Sequence, residues 1–176
     1  MRVVIADAGP LIALARLQQL ELLARLIRTA WITDVVAAEL GMAGPTTSAE
    51  AFPGIEALRD ATQQGWLHVV ETHSAGDDPY QPINPGVDAG ETSAIGLALQ
   101  EQRQGRQVLV VIDDRCGRAE ARRQGLSIIG TAAVLVLAKE QQLIPACAPL
   151  LHNLRQQGYY LSDHVIAAVL HQAGEA

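Results

Sequence analysis

The sequence predicts an α/β protein: a three-layer α/β/α sandwich around a central parallel sheet, with extra helices toward its C-terminal end. Three observations lead there. Short apolar segments of strand length alternate with helical segments through most of the chain. Segments such as "VVIA" and "VLVVI" are unbroken apolar runs, the pattern of parallel strands covered on both faces. The 176 residues are 49% hydrophobic, enough for one domain with a full core, and at 3% aromatics that core is built from Ala, Leu, Val and Ile. A single domain over 1–176 is expected, with its core in about 1–140 and a helical extension in about 141–176.

The elements follow in order. Val3 to Ala6 reads as a buried strand, and Pro10 suits the first position of a helix that runs to about Leu17. A second helix covers about Leu20 to Arg28, and "AWIT" (Ala30 to Thr33) is a short strand. Thr33 or Asp34 is placed to cap the helix "VVAAEL". "GMAGPTTSAEAFPG" is rich in breakers and reads as a loop, followed by the helix "IEALRDATQQG" and the strand "WLHVVE". "THSAGDDPYQPINPG" is the longest irregular stretch. "DAGETSAIGLALQEQRQ" is a helix closed by Gly105, and "VLVVI" (Val108 to Ile112) is a strand ending in Asp113 and Asp114. "RCGRAEARRQG" is a short basic helix and "LSIIG" a last strand. Three helical segments finish the chain: "AAVLVLAKEQQ", "CAPLLHNLRQQG" and "LSDHVIAAVLHQA".

Composition narrows the function. A formal net charge of -6 does not suggest a basic nucleic-acid-binding surface, but a divalent cation can offset acidic groups locally. The start of the chain has no basic leader or small-residue cleavage site, and no apolar run reaches bilayer length. No membrane association and a cytoplasmic location are therefore expected. Cys116 and Cys147 have no metal-ligand spacing and read as reduced thiols. The histidines form no HxxxH pattern, and no GxGxxG, Walker A lysine or GxSxG elbow is present.

In parallel α/β sheets ligands gather beyond the carboxyl ends of the strands. Asp7 follows the first strand, and Asp113 and Asp114 follow the fourth. Glu39 lies in the helix after the second strand, and Asp88 and Glu91 open the helix after the long loop. Taken singly, each has an ordinary explanation as a turn former, a helix cap or a solvated residue. Together they gather at one sheet edge, and clustered carboxylates repel unless a hard cation sits among them. Magnesium and manganese favour such ligands and support phosphodiester hydrolysis. Arg115, Arg118 and Arg122 share one helix face, either as an RNA-phosphate clamp or as a solvated surface with Glu120 as counter-charge.

The order Asp7, Glu39, Glu91, Asp114 resembles the acidic quartet of PIN-domain ribonucleases, which include the VapC-like toxins of bacterial toxin–antitoxin pairs. "VVIADAGPLIALARL", "TDVVAAEL", "DAGETSAIGLAL" and "VLVVIDDRCGRAEARRQGLSIIGT" resemble successive segments of that family. "DAGPLI", "DDRCGR" and "GTAAVLVLAK" are closest to a little-characterised prokaryotic branch. The resemblance implies a metal-dependent endoribonuclease, the toxin of a prokaryotic pair, cleaving RNA with Mg²⁺ or Mn²⁺. It implies Asp7 and Asp114 as core metal ligands, with Glu39 and Glu91 completing the pocket or orienting water. Asp113 remains a second candidate beside Asp114, and Asp88 beside Glu91. A small antitoxin protein is the implied partner, and the apolar "AAVLVLAK" and "VIAAVL" make a homodimer the expected assembly. The alternative is a catalytically weak, partner-binding regulator on the same fold. A haloacid-dehalogenase-like phosphatase fits poorly, because its second Asp would fall at Gly9.

Overall fold

The computed structural model describes residues 2–42, 54–72 and 79–176. Within them lie β1 (Arg2–Ala6), α1 (Ala8–Arg16), α2 (Glu21–Ile27), β2 (Ala30–Thr33), α3 (Asp34–Glu39), α4 (Ile55–Gln63) and β3 (Leu67–Val70). Then come α5 (Ala89–Arg103), β4 (Gln107–Val111), α6 (Arg115–Arg123), β5 (Ser127–Ile129), α7 (Thr131–Glu140), α8 (Ala148–Gln156) and α9 (Asp163–Gln172). The five strands form one parallel sheet in the order β3-β2-β1-β4-β5. Helices cover both faces, giving the expected α/β/α sandwich.

The unbroken apolar strands are explained by which way their side chains point. Val4 and Ala6 of β1, with Leu109 and Val111 of β4, pack with Leu11, Leu14, Leu23, Leu58 and Leu135 on one face. Val3 and Ile5, with Val110 and Ile112, pack with Ala94, Ile95, Ala98 and Ala121 on the other. Alternate residues of one strand therefore enter opposite layers, so every position must be apolar. Thr33, rather than Asp34, caps α3: its hydroxyl accepts from the Val36 N–H at 3.0 Å. Pro10 sits at the third helical position of α1, because the helix begins at Ala8 behind an extended Asp7. A proline is tolerated there since first-turn N–H groups have no helical partner. Most of the breaker-rich loop (43–53) and part of the long irregular stretch (73–78) lie outside the described residues.

The sheet order places the functional edge. β1 is central and lies between β2 and β4, so the chain's crossovers diverge at the β1–β4 boundary. The register runs from Arg2 opposite Gln107 to Ala6 opposite Val111, and the Asp7 N–H extends it by donating to the Val111 carbonyl at 2.9 Å. The residues after both strands therefore emerge side by side.

The C-terminal helices belong to the same core. Leu151 and Leu154 of α8 and Val169 of α9 are buried in the cluster that holds Leu11 and Leu135. Glu175 fastens the end of the chain. Its carboxylate accepts from the Cys147 N–H (2.7 Å), the Ala148 N–H (2.9 Å) and the Lys139 Nζ (2.8 Å). The two backbone donors and the Lys139 ammonium outweigh the desolvation that opposes them, holding this carboxyl down to about 2. Glu175→Gln keeps the shape but loses the charge-assisted bonds. It is expected to cost about 2 kcal/mol and to lower the Tm by about 6 °C, measured by thermal circular dichroism at neutral pH.

Candidate functional site

Beyond the carboxyl ends of β1 and β4 opens a cleft of about 1090 Å³. All the acids expected from sequence line it: Asp7, Glu39, Asp88, Glu91, Asp113 and Asp114. Arg115, Arg118 and Arg122 line it as well. Residues 7–136 thus contribute from five separate stretches, and a further wall comes from 159–172.

Each acid is held differently. Asp7 occupies the N-cap position of α1 but makes no side-chain capping bond, so its carboxylate faces the cleft while the residue is only 6% exposed. Asp88 and Glu91 form a capping box: Asp88 Oδ1 accepts from the Glu91 N–H at 2.8 Å, and Glu91 Oε2 accepts from the Asp88 N–H at 3.1 Å. Glu91 is 1% exposed. Asp114 caps α6, with Oδ1 accepting from Cys116 N (2.7 Å) and Gly117 N (3.2 Å). Glu39 ends α3 and lies against Gly90. A Cβ at Gly90 would collide with the Glu39 carboxylate, and one at Gly117 with that of Glu91. These two glycines let the carboxylates approach helix backbone.

Asp113 is committed elsewhere. It accepts from the Thr131 N–H (2.8 Å), the Thr131 hydroxyl (2.5 Å) and the Tyr159 hydroxyl. It therefore ties the start of α7 to the segment before α9. Arg118 donates to the Ile112 carbonyl at 2.9 Å, while Arg115 and Arg122 are exposed. Glu120 does not neutralise these three. It is buried and pairs with Arg123, and it also accepts from the Tyr80 hydroxyl and the Ile83 N–H. Those bonds fasten the stretch that leads into Asp88.

The cleft is electrostatically strained. Burial is the main force pushing Asp7 up to about 6, with Asp88 and Glu39 adding repulsion against the favourable N–H groups of Ala8 and Gly9. Burial pushes Glu91 up to about 8, with Asp88, Asp114 and Asp7 adding to it and the Asp88 N–H opposing. Glu39 is raised by desolvation and then by Asp88. Among the described residues, none of Asp7, Glu39, Asp88, Glu91 and Asp114 is in an ion pair with Lys or Arg.

Crowded carboxylates without a cationic partner are the donor set of a hard divalent cation. No three His, Cys, Asp or Glu groups among the described residues are grouped so that they could hold a metal ion as they stand. Mg²⁺ does not require three, since it commonly takes one or two carboxylates and keeps several waters.

A family model described as a PIN domain matches residues 3–175. The chain belongs to the PIN-domain family. No curated protein matches it. PIN domains are generally nucleases, which places nucleic acid as the substrate class of this fold. In this PIN domain the acids come from the ends of β1 and β4, from α3 and from the first turn of α5. Among the described residues, no helix is long and apolar enough to cross a membrane.

Sequence reasoning missed the far wall of this PIN-domain cleft. Tyr159, Tyr160, Leu161, His164, Val165 and Ala168 line it. A signal existed, since two of the chain's three tyrosines are adjacent at Tyr159 and Tyr160, just before the Ser162 cap of α9. What periodicity cannot show is that α9 folds back across the opening.

Asp7 and Glu91 keep protons in the fold that the unfolded chain has already released. Stability of the metal-free protein is therefore expected to fall as pH rises from about 4 to about 8. Glu91→Gln preserves the capping box and removes the charge, so it should raise the Tm at pH 8, leave it little changed at pH 4 and flatten the profile. Thermal melts in EDTA across that range measure this.

Proposed function

We propose that this PIN-domain protein is a metal-dependent endoribonuclease that hydrolyses RNA phosphodiester bonds, and that it acts as the toxin of a prokaryotic toxin–antitoxin pair. The single observation behind the nuclease assignment is the set of mutually repelling carboxylates around Asp7 in a cleft edged by arginines. Asp7 and Asp114 would hold Mg²⁺ or Mn²⁺, with Glu39 and Glu91 completing the pocket. The chemistry such a cation supplies when bound is activation of water and stabilisation of charge on a phosphoryl oxygen.

The chain's own residues do the rest. Glu39 is exposed, as Asp114 is, but unlike Asp114 it caps no helix of its own, which suits it to orient the attacking water and accept its proton. Glu91 is fixed by its capping box and holds the pocket's shape. Asp113 serves as an anchor for Thr131 and Tyr159 rather than as a free ligand. Arg115 and Arg122 attract the phosphate backbone, and Arg118 lines the same wall.

With Mg²⁺ or Mn²⁺ the protein is expected to cleave single-stranded RNA in a gel assay. Asp7→Asn and Asp114→Asn should each lower the rate on the order of 100-fold. Cleavage by both variants at the parent rate removes the assignment. Absence of Mn²⁺ binding at millimolar metal, together with tight binding of a protein partner, would favour the regulator reading instead.

The toxin assignment has its own check. Induced expression of the parent in a bacterial host should arrest growth, while Asp7→Asn should not. Co-expression of a short protein encoded beside it should restore growth by covering the acidic pocket with a cationic side chain.

A further inference from the structure

The cleft has two unlike walls. One carries the arginines of α6, and the other is the segment between α8 and α9 with the inner face of α9. Tyr160 is 88% exposed, the most open large apolar side chain among the described residues, and it lies on that second wall. Leu161, Val165 and Ala168 line the cleft around it, and Val165 is itself 37% exposed. The ring therefore stands on an open apolar face, not alone on the outer surface.

Its neighbour is immobilised. Tyr159 is partly buried, and its hydroxyl donates to Asp113, which Thr131 also holds through two hydrogen bonds. Asp113 directly precedes Asp114 at the end of β4. The base of Tyr160 is thereby tied to the same sheet edge that presents the acids. With the backbone at its base held, only the ring's own two torsions are restricted when a ligand stacks on it.

A ligand that satisfies both walls must offer phosphate to the arginines and a flat apolar face to the tyrosine. An unpaired nucleotide offers both. A duplex offers phosphate alone, because its base faces are stacked inside.

We propose that Tyr160 is the stacking platform for one unpaired base of the strand, mounted on the Asp113–Tyr159 anchor and facing the arginine wall. This rests on the nuclease reading above. Stacking tolerates any base, so the contact selects for unpaired structure and sets which nucleotide lies over the acids, without reading sequence.

The test uses the full chain in EDTA, so that no strand is cut, with binding followed by fluorescence anisotropy. The probes are a short single-stranded RNA, the same RNA as a duplex, and a series of single strands each with one abasic position. Tyr160→Ala should weaken single-strand binding about tenfold. It should change duplex binding by less than about twofold and leave the Tm unaltered, and Tyr160→Phe should bind like the parent. In the parent, one abasic position should cost about as much as Tyr160→Ala, and in Tyr160→Ala that position should cost nothing more.

Equal single-strand affinity for parent and Tyr160→Ala overturns the proposal, and is the result expected if Tyr160 serves a protein partner instead. Equal losses on single strand and duplex also overturn it. If the parent binds no RNA in EDTA but cleaves it with Mg²⁺ or Mn²⁺, the same comparison of parent and Tyr160→Ala is read from the KM of cleavage, and equal KM values overturn the proposal. If the parent does neither, the nuclease reading falls and this proposal falls with it. If the parent binds and cleaves RNA while Tyr160→Ala is indistinguishable, the nuclease reading stands and this proposal alone fails.

Discussion

Carboxylates that repel one another are held in one cleft because two parallel strands end side by side. β1 and β4 are adjacent in the sheet, and the Asp7 N–H continues their pairing by one residue. Asp7 and the Asp113–Asp114 pair then leave the sheet at the same edge. Burial in that position raises Asp7 and Glu91 well above ordinary carboxylates. The fold tolerates this strain because the sheet beneath is anchored by apolar packing on both faces. Much of what surrounds the cleft can be understood as ways of holding charges that would otherwise separate.

Helix termini supply most of that restraint. Asp114 caps α6 and Asp88 caps α5, while Glu91 returns a bond to the Asp88 N–H. Capping and site-building were competing explanations for these acids when each was considered singly. They coincide, because one carboxylate oxygen can satisfy a helix end while the group still borders the cleft. Asp7 is the exception: it stands where a cap would stand but makes no side-chain capping bond, and only the nearby N–H groups of Ala8 and Gly9 oppose the effect of its burial. Gly90 and Gly117 complete the arrangement, since any side chain there would displace Glu39 or Glu91.

The C-terminal helices turn an edge into a cleft. Leu151, Leu154 and Val169 share the main core, and Glu175 locks the chain end to the start of α8. Asp113 is the hinge of this arrangement at the sheet edge, joining Thr131 to Tyr159. That assignment separates two neighbouring aspartates by environment: Asp113 is surrounded by donors, whereas Asp114 caps a helix and remains exposed. Similarly, Glu120 selects Arg123 as its partner, so the arginines facing the cleft keep their charge available for an anion.

The local pattern of residues by itself determined the layers of this protein. Unbroken apolar runs demanded burial on both faces, Thr33 or Asp34 marked a helix start, Asp88 and Glu91 fell at the opening of another, and the acids after successive elements announced a shared edge. These are short-range properties, written in neighbours along the chain. Tertiary structure decided what depends on distant partners. It decided that β1 pairs with β4, that Asp113 meets Thr131 and Tyr159, that Glu120 takes Arg123, and that Tyr160 stands open on the far wall. A side chain's charge state and availability depend on which groups surround it in space, and those groups can lie far off along the chain, as Tyr159 lies 46 residues from Asp113. Periodicity carries no record of such meetings, because they are selected by the packing of whole elements against one another.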